Sequence, residues 1–260
     1  MSFPKSIALI GAGKLATHLG LHLQKTGFSI QAVWSRTEAS AQKLGDRLSC
    51  HWTTQFNDIP EVALYIILVK DDAIASVAKQ LVVGMNPQAL VVHTSGAMPA
   101  TILQDFFKRY GVFYPLQSFS EDVIPDFKSI PFCINANHEE DKIQLKQFAE
   151  QLSKAVYLIT DEQKTQLHLA AVFTNNFTNY LQFISNKLLK EQQLPLSILQ
   201  PLLNETVRKL SAISPMEAQT GPAIRGDNST MEKHLELLNN YPEWAALYDL
   251  LSLGIRRDMG

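Results

Sequence analysis

The spacing of hydrophobic positions changes character once along the chain. Up to about residue 160, short apolar runs alternate with stretches whose apolar residues recur every three or four positions; beyond it only the helical spacing remains. The first run, Ile7-Ala8-Leu9-Ile10, leads straight into Gly11-Ala12-Gly13 and a helical pattern over 14–25, with Leu15, Leu19 and Leu23 on one stripe and Gly27 closing it. A second strand is expected at 28–34, a helix at 38–48 and a short third strand at 50–53. Residues 62–69 (VALYIILV) form an unbroken apolar run, as a parallel strand buried on both faces requires. There follow a helix at 73–82 with Asp71 or Asp72 as its cap and a strand at 89–93. A helix at 99–110, with Pro99 in its first turn, and a short strand at 112–114 come next. One more round is expected: strand at 131–136, helix at 139–152, strand at 156–159.

Strands alternating with helices argue an α/β chain with a doubly wound parallel sheet and right-handed crossovers. Residues 161–194 contain neither Gly nor Pro, and positions 167, 170, 171, 174, 177, 181, 184 and 188 keep helical spacing. Further helices are expected at 196–212, 231–239 and 243–257, and Ser229-Thr230-Met231-Glu232 has the spacing of a capping box. Two domains are therefore expected, 1–160 and an all-helical 161–260. The chain is long enough for both: it has 260 residues, 46% hydrophobic and 18% charged, which allows a sizeable core.

A formal net charge of −2 supplies no electrostatic reason to expect nucleic acid or an anionic membrane as partner. Cys50 and Cys133 form neither a metal-ligand spacing nor a disulfide framework, so no metal site is expected. Met1 to Lys5 show no signal peptide, and no apolar run reaches 18 residues, which makes a cytoplasmic protein the expectation.

Strand, Gly11-Ala12-Gly13-Lys14-Leu15-Ala16, then helix is the arrangement that holds the pyrophosphate of a dinucleotide, and it makes the first domain Rossmann-type. Gly11 suits the tight turn, Gly13 lets the backbone approach phosphate without a Cβ, and Ala16 lets the helix pack on the strand. A cofactor with a free ribose 2′-hydroxyl usually meets an acid at the end of the second strand. Here that place reads Ser35-Arg36-Thr37, donors and positive charge that suit a 2′-phosphate, so NADP is favoured over NAD. The bland reading is that Arg36 and Thr37 merely start a solvated helix. Ligands of open α/β sheets lie at the carboxyl ends of the strands. Val69 and Lys70, then His93, Thr94, Ser95 and Gly96, then Tyr114 to Ser118 occupy those ends. Thr94, Ser95 and Gly96 are read as close contacts; His93 is either a core histidine or a site residue, and Lys70 either a surface charge or a contact.

In the helical half, Lys164, His168, Asn175 and Asn179 are spaced 4, 7 and 4 apart and fall on one face of a continuous helix. They are either a solvated stripe or, since 170–173 is apolar all round, a buried face that needs a ligand or other partner. The last feature, Thr220-Gly221-Pro222-Ala223-Ile224-Arg225-Gly226-Asp227, reads as a shaped loop rather than an adhesion triplet.

Taken together, IALIGAGKLA, VWSRT, HTSGAMP, YPLQSF, HLAAVFTNNF and TGPAIRGD resemble the superfamily that joins a Rossmann domain to a helical 6-phosphogluconate-dehydrogenase-like domain. Pyrroline-5-carboxylate reductases and deazaflavin-dependent NADP oxidoreductases are members. The closer resemblance is to a bacterial branch with a Rossmann-like domain and a C-terminal domain of unknown function. The resemblance implies an NADP-dependent oxidoreductase that dimerises through its helical domain. It also marks a departure: some members carry Lys and Asn four residues apart on the long helix, whereas here Lys164 is followed by His168. In matching register Lys164 would polarise a substrate oxygen and His168 would replace the asparagine, or act alone as proton donor or acceptor.

The expectation that results is hydride transfer between NADP and a small metabolite held between the domains. Gly11, Ala12, Gly13, Lys14, Leu15, Ser35, Arg36, Thr37, Val69, Lys70 and Thr94 serve the cofactor, and Ser95, Lys164, His168 and Asn175 the chemistry. The alternative is a non-catalytic nucleotide-binding sensor, motivated by the missing Lys–Asn pair. A flavin or deazaflavin as second ligand is compatible with the resemblance, but nothing in the sequence demands one.

Overall fold

The computed structural model describes Ser6–Gly260; the reading of Met1 to Lys5 falls outside the described residues. The chain divides into two compact units, the first closing at Asn175 and the second spanning Asn176–Gly260. The change of sequence period at Thr160 coincides with the start of a helix that remains in the first unit up to Asn175.

The first unit is a mostly parallel eight-stranded sheet in the order β3-β2-β1-β4-β5-β6-β7-β8. Its strands are β1 (Ser6–Ile10), β2 (Ser29–Trp34), β3 (His51–Thr53), β4 (Leu64–Ile67), β5 (Leu90–His93), β6 (Tyr110–Pro115), β7 (Phe132–Ala136) and β8 (Val156–Leu158). Helices α1 (Lys14–Lys25), α2 (Glu38–Leu48), α3 (Ile74–Leu81) and α4 (Glu139–Leu152) connect them. Alternate residues of β1 serve opposite faces: Ile7 and Leu9 pack with Leu19 and Leu23 of α1, Leu44 of α2 and Phe148 of α4. Ala8 and Ile10 pack with Val77 and Leu81 of α3. Burial on both faces is why the strands read as unbroken apolar runs.

Three expectations about this unit are corrected. The sheet is not wholly parallel: β7 runs antiparallel to β6. The connection between them holds only a 3₁₀ turn, Phe127–Ser129, and no crossover helix, so the chain returns alongside β6 in the opposite direction. The helix expected at 99–110 is a 3₁₀ turn, Ala100–Leu103, followed by further turns. In an α-helix the Met98 carbonyl would receive an amide from the next turn; here the Lys164 ammonium takes it. Neither Asp71 nor Asp72 caps α3; both lie in a 3₁₀ turn, Asp71–Ala73, that precedes it.

The helix beginning at α5 (Asp161–Ala171) is interrupted by a π-helical turn, Val172–Phe177, before α6 (Thr178–Glu191). The second unit continues with α7 (Gln200–Leu210), α8 (Pro215–Ala218), α9 (Pro222–Arg225), α10 (Asn228–Leu237) and α11 (Pro242–Met259). The Arg-Gly-Asp triplet is the link between two helices: Gly226, at φ 68°, ends α9, and the Asp227 carboxylate accepts from the Thr230 amide at 3.1 Å to cap α10. Asp227 thus takes the capping role that the spacing had assigned to Ser229. His234 Nδ1 and Tyr248 Oη, 2.8 Å apart, tie α10 to α11. Only Ala223, Leu238 and Ser252 of the second unit are buried, while Leu202, Leu237, Leu250 and Leu253 are more than 60% exposed.

Cys50 and Cys133 are free thiols. No helix among the described residues is long and apolar enough to cross a membrane. Asp141 of α4, the one buried carboxylate among the described residues, receives the Arg109 guanidinium, with Nε at 3.1 and 3.2 Å from its two oxygens. Arg109 also donates to the Gln88 carbonyl at 2.7 Å. Removing one partner leaves the other charge uncompensated, so Asp141→Ala is expected to lower unfolding free energy by about 3 kcal/mol. Urea denaturation would show it, and an unchanged midpoint would contradict it.

Candidate functional site

The glycine turn has the geometry expected of it. Gly11 sits at φ 133°, and a Cβ there would lie 2.3 Å from the Leu68 carbonyl oxygen, so no other residue fits. Its amide donates to the Trp34 carbonyl at 2.8 Å, which fixes the turn to the end of β2. Gly13 is extended and stands at the N-cap of α1, where no side chain caps the first-turn amides. A Cβ on Gly13 would meet nothing within 4 Å. The amides of Lys14 and Leu15 thus stand, without a side-chain cap, at the positive end of a helix dipole beside the open space at Gly13. Ala12 and Leu15 pack their side chains against the core, so their contribution to a phosphate is backbone; Lys14 is exposed.

At the end of β2, Ser35 is buried and its amide donates to the Thr53 carbonyl at 3.2 Å. Arg36 is exposed and has no ion pair or side-chain hydrogen bond among the described residues. Thr37 precedes α2 and donates its hydroxyl to Ser40 Oγ at 2.8 Å. At the end of β4, Val69 is half-buried against the α3 side of the core, and exposed Lys70 leads into the 3₁₀ turn.

A buried polar cluster occupies the ends of β5 and β6. Thr94 donates its hydroxyl to the Ile67 carbonyl at 3.3 Å. The Ser95 hydroxyl accepts from the amides of Ala97 and Met98 at 3.1 and 3.0 Å, which shapes the loop. Lys164 is fully buried: its ammonium donates to the carbonyls of Ser95, at 3.4 Å, and Met98, with Asp161 at 4.0 Å. Asp161 in turn accepts from the Ala100 amide at 2.9 Å. Burial pushes the Lys164 pKa below the ordinary lysine value, against the pull of Asp161. His93, also fully buried, accepts from the Ser95 amide at Nδ1 (3.2 Å) and so carries its hydrogen on Nε2, 3.2 Å from the Pro99 carbonyl. Burial, and then the Lys164 charge, lower its pKa to about 4, so the ring is neutral near pH 7.

Four residues beyond Lys164, His168 meets Tyr114 at the end of β6, with Nδ1 and Oη 3.4 Å apart. Both lie over Gly96: a Cβ there would be 2.7 Å from His168 Nδ1 and 2.8 Å from Tyr114 Oη. Burial raises the Tyr114 pKa to about 12, so the phenol keeps its proton near neutrality.

The structure thus brings together Thr94, Ser95, Lys164 and His168, and places Gly11 to Leu15, Ser35 to Thr37 and Val69–Lys70 along the same edge of the sheet. It does not align the polar stripe along the long helix. The π-helical turn shifts the register, and Asn175 and Asn179 are exposed. Residues 170–173 are not buried as expected, Phe173 being 62% exposed. Lys164, read as free to polarise a substrate oxygen, is instead committed to backbone carbonyls. Sequence reasoning passed over Tyr114 as part of a loop and Asp161 altogether. The Thr160–Gln163 capping box, which the structure forms, was the signal that fixes where α5 starts and sets Asp161 one turn from Lys164.

Residues 4–116 match a Rossmann-like domain family, and residues 130–255 match the domain of unknown function DUF2520. A solved Bacteroides fragilis protein named "putative NADP oxidoreductase" is 44% identical, with 96% of this chain and 97% of that chain covered and a TM-score of 0.91. A Thermotoga maritima protein shares the fold at 23% identity, with 96% and 98% covered and a TM-score of 0.81. An imine reductase from Myxococcus stipitatus, solved with NADP+, also shares the fold at 15% identity, with 98% and 96% covered and a TM-score of 0.68. No curated protein sequence matches the chain closely enough to count as a relative.

His93 gives the cluster a pH signature. Its folded pKa of about 4 lies below the unfolded value near 6.5, so between these the unfolded chain binds more protons and stability falls as pH falls. The loss across the window is on the order of 3 kcal/mol. Urea midpoints at pH 7.0, 5.5 and 4.5 should decline for the wild type and decline less for His93→Gln. Equal slopes would contradict the assignment.

Proposed function

The chain belongs to the family that joins a Rossmann-like domain to the domain of unknown function DUF2520, and from that premise we propose that it is an NADP-dependent oxidoreductase acting on a small metabolite. The observation that carries this reading is the pairing of an uncapped α1 N-terminus at a Cβ-free Gly13 with an acid-free end of β2. The amides of Lys14 and Leu15 would hold the pyrophosphate, and Arg36, with Ser35 and Thr37, the 2′-phosphate. Val69, Lys70 and Thr94 line the path along the sheet edge toward Gly96, where the lack of a Cβ lets His168 and Tyr114 close over the loop.

NADP, when bound, supplies or takes up a hydride at its nicotinamide ring. The residues of this chain bind it, orient it and move the accompanying proton. Tyr114 keeps its proton and stands 3.4 Å from His168 Nδ1. With the Nδ1 hydrogen donated to Tyr114 Oη, His168 Nε2 would be free to take a proton from the substrate, and the resulting imidazolium would give one back in the reverse direction. Lys164 and Ser95 act as positioning residues for the loop beneath this pair. Asn175 makes no side-chain hydrogen bond among the described residues and receives no role. A non-catalytic nucleotide sensor is the second reading, favoured by the engagement of Lys164 with carbonyls; it requires nucleotide binding without turnover of any metabolite.

The second unit supports a homodimer. A unit with three buried residues and four leucines more than 60% exposed cannot supply its own core. A second copy of the same apolar surface would cover it.

Fluorescence titration tests the cofactor. Wild-type protein should bind NADPH, Gly13→Asp should lose binding while remaining folded, and Arg36→Ala should weaken NADPH about tenfold, roughly 1.4 kcal/mol, with little change for NADH. Failure of the wild type to bind any nicotinamide nucleotide would overturn the reading. Native mass spectrometry should show a dimer at micromolar concentration; a monomer would refute the second-copy assignment.

A further inference from the structure

A cavity of about 960 Å³ in the first unit does not lie over Tyr114 and His168. It opens at the glycine turn, where Ala12 and Gly13 line it, and runs down the outer faces of α1 and α2 beneath the segment 121–128. Its size is that of a small-molecule site, and its lining is cationic. Lys14 and Lys25 come from α1, Lys43 and Arg47 from α2, and Lys128 from the covering segment.

None of these five cations forms a side-chain hydrogen bond or ion pair among the described residues. Elsewhere in the unit Arg109 pairs with Asp141, Lys142 with Glu139 and Lys146 with Glu150, while Arg36, Lys70, Lys79, Lys108 and Lys154 form no ion pair among the described residues; what sets the five apart is that they line one cavity. Lys43 and Arg47 stand four residues apart on one face of α2, a like-charge spacing that disfavours the helix. The carboxylates Glu121, Asp122 and Asp126 also line the cavity. Asp126 is occupied in capping the 3₁₀ turn through the Lys128 amide at 3.1 Å, and Glu121 and Asp122 pair with none of the cations. The groove therefore carries five cations against three carboxylates, an excess of positive charge on a chain whose net charge is −2.

We propose that the groove between α1 and α2 is a binding site for a phosphate-bearing ligand, with Lys14, Lys25, Lys43, Arg47 and Lys128 as its charge partners. A small phosphorylated molecule distinct from the cofactor fits the part that descends from the glycine turn to Lys25 and Arg47. Phosphate chemistry could also reach its upper end from a bound dinucleotide, and the test separates the two.

The probe is inorganic tripolyphosphate, titrated by calorimetry into wild-type protein, Lys43→Glu and, as a control, Lys79→Glu on α3 across the sheet. Lys43→Glu creates an opposite-charge pair with Arg47, so it should not unfold α2. Binding to the wild type at low salt should weaken about tenfold in Lys43→Glu, stay unchanged in Lys79→Glu and fade as salt rises. Repetition with saturating NADP+ assigns the source. Retained binding identifies a separate ligand; displacement, with NADP+ itself weakened by Lys43→Glu, identifies the dinucleotide's own phosphates. Absence of tripolyphosphate binding, or equal binding by wild type and Lys43→Glu, would overturn the site.

Discussion

A single buried ammonium organises the end of the sheet where the site stands. Taking the Lys164 charge out of water costs several kcal/mol unless it is compensated; the carbonyls of Ser95 and Met98 accept from it, and the Asp161 carboxylate, at 4.0 Å, balances its charge without a hydrogen bond. Three features go with that bond set. Helix α5 is fastened to the loop after β5; the Met98 carbonyl is held by the ammonium where a 3₁₀ turn rather than an α-helix follows Pro99; and the charge adds to burial, the larger cause, in keeping His93 neutral. One turn further along α5, His168 lands against Tyr114, with only a glycine small enough to lie beneath both.

The glycine turn supplies the other end. In the order β1-β4-β5-β6, the turn leaves β1 and Tyr114 stands at the end of β6. Three strand spacings separate them, roughly 14 Å, a span suited to an extended dinucleotide. The chain also reverses direction across the sheet between β1 and β4, the switch point at which such folds bind ligands. Gly11 closes the turn because its Cβ would strike Leu68, and Gly13 leaves the helix amides open. One glycine is required by the fold, and the other leaves room for phosphate.

Most of the fold was legible because period and punctuation agreed. Helices α1, α2 and α4 start and end where their apolar stripes do, between glycines, caps and turns. What the sequence could not disclose were tertiary decisions. The reversal at β7 depends on a crossover helix that never forms, and the Met98 carbonyl ahead of the 3₁₀ turn is held by a lysine more than sixty residues away. The π-helical turn at Val172–Phe177 inserts into a pattern that reads as one uninterrupted helix, and with it the Lys164-to-Asn179 stripe comes apart. The glycine turn was readable from three positions. The Tyr114–His168 pair was not, since nothing local joins β6 to α5.

Whether the turn and the pair serve one dinucleotide is tested most directly by a crystal structure of the protein with NADP+. The pyrophosphate should rest on the amides of Lys14 and Leu15, the 2′-phosphate on the Arg36 guanidinium, and the nicotinamide ring beside Gly96 within reach of His168. Ordered NADP+ whose nicotinamide lies away from Gly96, or whose 2′-phosphate makes no contact with Arg36, would contradict the account.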